Sequence, residues 1–178
     1  MQKNPPSRYH PFLVTLHWLT VLLVFAAFLV GKSMSRLPND DASKLAPLAI
    51  HMTIGILTLL VIIVRFITRM KVPRPAYAST GNAFLDGLGK FVHYALYLFV
   101  FLMAVSGMSL SLQAGLPSIV FFGSGAPLPA DFFVFAARVL HGFIAPTLFL
   151  LILLHVGAAF YHQFFLKDNL LARMGYKR

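Results

Sequence analysis

The sequence predicts an all-α integral membrane protein: an antiparallel bundle of four transmembrane helices with both termini cytoplasmic. Three observations predict it. Of 178 residues, 58% are hydrophobic and only 11% are charged, where a soluble domain carries about 25% charge. Four apolar runs are each long enough for a bilayer, which takes roughly 20 residues. The basic residues gather at the ends of those runs, more of them on one side than on the other.

The spacing predicts helices over about 12–31, 45–69, 88–112 and 136–165, in a single membrane domain spanning 1–178. The first apolar run, Phe12 to Gly31, holds no charge. Lys3 and Arg8 ahead of it resemble the start of a signal peptide, but its core exceeds the usual h-region of about 7–15 residues. No small-x-small cleavage site follows, so it reads as a retained helix. The second run, Leu45 to Phe66, is interrupted only by Arg65, and the third covers Phe91 to Leu112. The fourth, Val139 to Phe165, is long enough to tilt or to project from the membrane.

The connections carry turn chemistry. Pro38, Asn39 and Asp40 punctuate residues 32–44, and Pro73, Pro75, Gly81 and Asn82 punctuate 70–87. The stretch 113–130 is rich in Gly and Pro yet apolar from Ser118 to Gly123, so it is expected to lie against the membrane surface. No internal repeat and no soluble second domain is legible.

Orientation follows from the Lys/Arg distribution. Eleven basic residues fall at Lys3 and Arg8, on the second connection and its helix ends (Arg65, Arg69, Lys71, Arg74, Lys90), and on the tail (Lys167, Arg173, Lys177, Arg178). Four fall on the other side: Lys32, Arg36, Lys44 and Arg138. The same distribution disposes of a nucleic-acid reading of the +10 net charge, because the cations flank apolar runs and line no face.

Cysteine is absent. Disulfides, iron–sulfur clusters, thiolate zinc and covalent c-type haem are therefore excluded. Five Asp and no Glu leave the seven histidines as the main candidates to hold a metal or cofactor. Six of them, His17, His51, His93, His141, His155 and His162, fall in or at the ends of the spanning runs. Ionisable residues are costly in hydrocarbon, so six is too many for passive packing. Any one of them alone is as readily a satisfied structural histidine as a ligand.

Their spacing is organised. His141 and His155 are 14 residues apart, which at 100° per residue returns them to one face about 21 Å apart along the axis. His162 continues that stripe one heptad on. Depth supplies partners: His51 is level with His141 near the outer side, and His17 is level with His155 near the inner side, where His93 also sits. Facing imidazoles in a bundle core are what a bis-histidine haem iron needs, so two pairs predict two haems stacked across the membrane.

Other residues leave alternatives open. Gly55, Gly107 and Gly142 either admit a porphyrin close to backbone or serve ordinary small-residue helix packing. Arg65 and Arg138 either pair with haem propionates or snorkel to the interfaces. Pro146 is expected to kink the fourth helix.

The His17-Trp18 pair, the His141/His155 spacing and the closing run from His162 through Lys167-Asp168-Asn169-Leu170-Leu171-Ala172-Arg173-Met174 together resemble the bacterial cytochrome b-561 family. The resemblance covers nearly the whole chain and extends to its superoxide oxidase-like branch. It implies two haems b, the inner iron held by His17 and His155 and the outer by His51 and His141. His93 and His162 are then free of iron, and with Trp18 they outline a quinone site. The implied activity takes electrons from superoxide or another periplasmic donor to ubiquinone, in the bacterial inner membrane.

Two rival readings stand beside it. The same haems could serve a hydrogenase, a dehydrogenase or a small periplasmic redox partner. A non-redox carrier moving metal ions or protons along histidines is disfavoured, because the spanning cores hold no Asp or Glu.

Overall fold

The computed structural model describes residues 6–176 and contains, among them, helices and turns with no strand. Five α-helices follow in order: α1 (Pro11–Met34), α2 (Leu45–Lys71), α3 (Ala83–Gln113), α4 (Leu116–Val120) and α5 (Ala136–Phe160). Four segments are long and apolar enough to cross a bilayer: Pro11–Met34, Ala42–Lys71, Ala83–Gln113 and Ala136–Leu166, with hydropathies of 2.0 to 2.4. Their outer surface carries large apolar side chains such as Leu22, Leu29, Leu60 and Phe143, the reverse of a water-soluble bundle. Lipid gives exposed backbone no hydrogen-bond partner, so helices are the form these runs can take.

Local chemistry sets the ends. His10, the one histidine outside the spanning runs, caps α1 by accepting from Phe12 N–H at 3.2 Å, with Pro11 in the first turn. Asn82 caps α3 by accepting from the N–H groups of Phe84 and Leu85. That cap starts α3 at Ala83, ahead of the predicted 88, because polar Asp86 and two glycines are tolerated in the first turns. α5 runs through Pro146 and stops at Phe160, and a π-helical turn continues from Tyr161 to Leu166. The α-helical stripe expected to carry on to His162 therefore stops two residues before it, and His162 sits on the π turn. Within 113–130 the apolar stretch winds into the short helix α4.

α1 packs on α2, α2 on α3, and α3 on α5. One residue from each long helix meets at mid-bundle: Val24, Ile62, Val100 and Leu148, with Phe28, Tyr97, Met103 and Ile152 packed around them. Thr20 and Thr58, also buried, return their hydroxyl protons to the carbonyls of Leu16 and Ile54 at 2.6 and 2.7 Å. No polar group is thereby left unpaired in the apolar layer.

The bundle has a tail end and a loop end. At the tail end the two described termini meet, with Tyr9 N–H donating to the Arg173 carbonyl at 3.1 Å. At the loop end Asn39 Nδ2 donates to the carbonyls of Pro129 and Ala130 at 3.0 and 2.9 Å, tying the first connection to the third. Of the cations used to read orientation, Lys3, Lys177 and Arg178 lie outside the described residues.

Candidate functional site

Four histidines form two facing pairs, one toward each end. At the loop end, His51 of α2 and His141 of α5 hold their ring centroids 6.2 Å apart with planes at 81°. At the tail end, His17 of α1 and His155 of α5 hold theirs 6.2 Å apart at 70°. The apolar layer of Val24, Ile62, Val100 and Leu148 lies between.

Polar neighbours orient the loop-end rings. His51 Nδ1–H donates to the Ala27 carbonyl at 3.1 Å. His141 Nδ1 stands 3.0 Å from Ser106 Oγ, whose own proton goes to the Met103 carbonyl at 3.0 Å, so the serine accepts from the ring. A proton on Nδ1 leaves Nε2 with its lone pair free. Glycines admit both rings: a Cβ on Gly31 would stand 3.0 Å from His51 Cε1, and one on Gly107 would stand 3.0 Å from His141 Cε1.

Of the three glycines singled out in the sequence, Gly107 lies beneath a ring, that of His141. Gly31 was missed, because only the packing of α1 on α2 brings it beneath a ring. A Cβ on Gly55 would meet nothing within 4 Å, and one on Gly142, the chain neighbour of His141, would meet the Arg138 side chain at 2.8 Å.

The tail end is built differently. Arg65 Nη2 lies 2.9 Å from His17 Nδ1 and its guanidinium lies 5.0 Å above the Tyr97 ring. A guanidinium only donates, so Nδ1 accepts here and the His17 proton sits on Nε2. His93 puts its centroid 5.0 Å from that of His155 and donates from Nδ1 to the Gly89 carbonyl at 2.8 Å. Trp18 meets His17 edge-on at 5.1 Å and donates from Nε1 to the Met174 carbonyl at 3.1 Å.

His162 is buried on the π turn, where its Nδ1 contacts Asp168 Oδ2 at 2.6 Å. Sequence reasoning did not join these two. They are six residues apart, which on an α-helix puts them on different faces. The π turn, followed by left-handed Lys167 (φ 55°) and Asn169 (φ 53°), folds the carboxylate back onto the imidazole. Such backbone is uncommon outside glycine and gathers at functional sites.

At the loop end Lys44 is buried, with Nζ donating to the Leu37 carbonyl at 2.6 Å and to Asn39 Oδ1 at 2.7 Å. Arg138 lies over the Phe133 ring at 4.7 Å. The Ser43 hydroxyl and N–H hold the Asp41 carboxyl below the usual carboxylate range.

The model of the prokaryotic cytochrome b561 family matches residues 8–177. The chain belongs to this family. It is 30% identical to "Cytochrome b561 homolog 2" of Escherichia coli, over 96% of this chain and 93% of the relative. It is 26% identical to "Probable superoxide oxidase CybB" of Yersinia pestis, over 94% of this chain and 96% of the relative. It is 27% identical to "Cytochrome b562" of Cereibacter sphaeroides, over 93% and 94%. Membership in the cytochrome b561 family makes the chain a bacterial transmembrane b-type cytochrome of electron transfer, and haem b its cofactor.

The residues fit that group. Among the described residues no three of His, Cys, Asp or Glu are arranged to hold a bare metal ion. Imidazoles instead come in facing pairs, which suits an iron whose remaining positions a macrocycle fills. With about 2 Å from metal to each imidazole nitrogen, and a ring radius added on both sides, the two centroids should stand about 6 Å apart. Both 6.2 Å pairs meet this. His93 and His155, at 5.0 Å, are too close. His17 meets the chemistry only when its proton moves to Nδ1, which displaces Arg65 from that atom.

Proposed function

We propose that this cytochrome b561 holds two haems b, the outer between His51 and His141 and the inner between His17 and His155, and carries electrons across the inner membrane to ubiquinone. The observation that carries the reading is the pair of 6.2 Å imidazole spacings at opposite ends of one bundle. Alternation of the four long helices, with the cation-rich tail end on the cytoplasmic side, gives an antiparallel single membrane domain with both termini inside.

When bound, haem supplies reversible one-electron transfer. The chain's own residues do the rest. Ala27 and Ser106 take the Nδ1 protons of the loop-end rings and so leave each Nε2 lone pair free for iron. Arg65, released from His17, is free to meet a propionate. His162 is the proton donor to a quinone carbonyl oxygen, and Asp168 orients its ring. His93 and Trp18 line the same end, where Trp18 pins the tail through Met174. Two superoxide ions yield two dioxygen molecules and two electrons, and these with two cytoplasmic protons reduce one quinone to quinol.

Stopped-flow mixing of the haem-loaded protein with superoxide tests the donor. Haem reduction outrunning spontaneous dismutation is expected; reduction no faster than dismutation rules superoxide out. One observation favours the second reading, an electron-transfer subunit for a hydrogenase, dehydrogenase or periplasmic protein. The loop end sets four cations against three aspartates, and Lys44 is buried in its own hydrogen bonds. Little positive field then remains to steer a small anion. A redox protein that co-purifies, with no activity of the cytochrome alone, would select that reading.

A further inference from the structure

A second site lies at the tail end, apart from the histidines. A cavity of about 320 Å³ is bounded by Tyr9, Arg69, Arg74, Pro75, Ala76 and Tyr77. Arg69 reaches it from the last turn of α2, donating to Tyr77 Oη at 3.1 Å, with its guanidinium 5.7 Å from the Tyr97 ring. Lys90 sets its ammonium 5.4 Å from the Tyr77 ring, and Arg173 donates to the Ala76 carbonyl at 3.0 Å.

Among the described residues no carboxylate pairs with Arg69, Arg74 or Arg173, and Lys90 meets only the more distant charge of Asp86. The one ion-pair contact among the described residues joins His162 to Asp168. Asp86, the acid nearest in sequence to Arg69, Arg74 and Lys90, commits its oxygens to Ser79 and Thr80 at 2.6 to 2.8 Å. The cavity walls are therefore positive and aromatic, and nearby on the same turns of α2 as Arg69 the apolar side chains of Phe66 and Met70 are 47% and 72% exposed.

We propose that this cavity seats the phosphate of an anionic phospholipid headgroup. The arginine fork matches a phosphate's oxygens, and the tyrosine hydroxyls add donors. Its volume lies at the small end of ligand sites, which run from about 300 to 1,000 Å³. It takes a headgroup and leaves the acyl chains to run along Phe66 and Met70. Basic pockets at membrane-helix ends bind acidic lipid in this way. The inference rests on the spanning helices and the cation cluster, and holds whatever the electron donor is.

Native mass spectrometry of the haem-loaded full chain, titrated with phosphatidylglycerol or phosphatidylcholine, tests it. Retention of phosphatidylglycerol over phosphatidylcholine is expected. At about fivefold per basic group, R69Q/R74Q should weaken it about 25-fold. K32Q/R36Q, which removes the same charge from the loop end, should leave it unchanged. If the double variant loses helix by circular dichroism, R74Q alone should still weaken retention about fivefold, since Arg74 is exposed. Equal retention of both lipids, or equal loss in the tail-end and loop-end variants, overturns the site. Displacement of the lipid by millimolar inorganic phosphate overturns the lipid as its occupant in favour of free phosphate.

Discussion

Replacing Arg65 by glutamine should lower the reduction potential of the proposed inner haem by about 70–100 mV and leave the outer one in place. The guanidinium stands 2.9 Å from His17 Nδ1. Adding the width of the ring and a metal–nitrogen bond of about 2 Å places the cation roughly 7 Å from the iron, or about 10 Å once Nδ1 takes up its proton and the arginine shifts. At an effective dielectric of about 20 those separations correspond to about 2.4 and 1.7 kcal/mol. A one-electron couple moves about 59 mV per tenfold, or about 1.36 kcal/mol, which gives the stated range. The ferric state carries one more positive charge than the ferrous, so a nearby cation disfavours it; removing that cation favours ferric iron and the potential falls. Arg65 is half-buried and Arg69 shares its tyrosine, so screening moves the expectation toward the lower figure.

A spectroelectrochemical titration, resolved into two components in the α band, measures this, with pyridine-haemochrome counting to show that both haems remain. Arg65→Lys keeps the charge and should keep most of the potential, which separates electrostatics from a packing defect. A rise in potential, no movement of either component, or equal movement of both would refute the placement of Arg65 beside one haem.

The ligand pairing predicts that His51→Ala and His155→Ala each lose one haem, with different α-band components missing; loss of none overturns the pairing. Asp168→Asn should slow quinone reduction about 10–100-fold, the usual cost of removing a partner that orients a reactive imidazole, while dithionite still reduces both haems fully. Gly31→Ala and Gly107→Ala should each deplete the loop-end haem, because the added methyl meets an imidazole carbon at 3.0 Å and overpacking of that kind costs about 1–3 kcal/mol; unchanged haem content in both would show that the rings have room to move.

What could be read from the sequence was whatever depends on period and composition. Apolar runs broken by cations reveal helices, and the 14-residue interval from His141 to His155 reveals one face at two depths, because both follow from 3.6 residues per turn. Whatever depends on departures from that period stayed hidden. Asp168 reaches His162 only through a π turn and two left-handed residues. Gly31 and Ser106 serve the loop-end histidines across helix contacts that no single-helix pattern encodes. Arg65 was legible as a cation inside the second apolar run, open to a propionate or to snorkelling, but its contact with His17 depends on how α1 and α2 pack.

The two ends of the bundle are equipped for different chemistry, and that difference supports a direction of transfer. At the loop end the Nδ1 protons of His51 and His141 are committed to the Ala27 carbonyl and to Ser106, and among the described residues no third imidazole and no carboxylate hydrogen-bonds to either ring. Such a site can exchange electrons but holds no group ready to deliver a proton. The tail end adds His93 beside His155 and a buried His162 paired with Asp168. In the proposed function, quinone reduction consumes protons with its electrons and is therefore assigned to the tail end. A donor that gives up electrons without protons, such as superoxide or a reduced metalloprotein, suits the loop end. Moving the acid–base pair should therefore move the chemistry: with Asp168→Asn, electrons should still enter through His51 and His141 at the wild-type rate and accumulate on the haems. If electron arrival slows as much as quinone reduction does, the division of labour between the two ends is wrong.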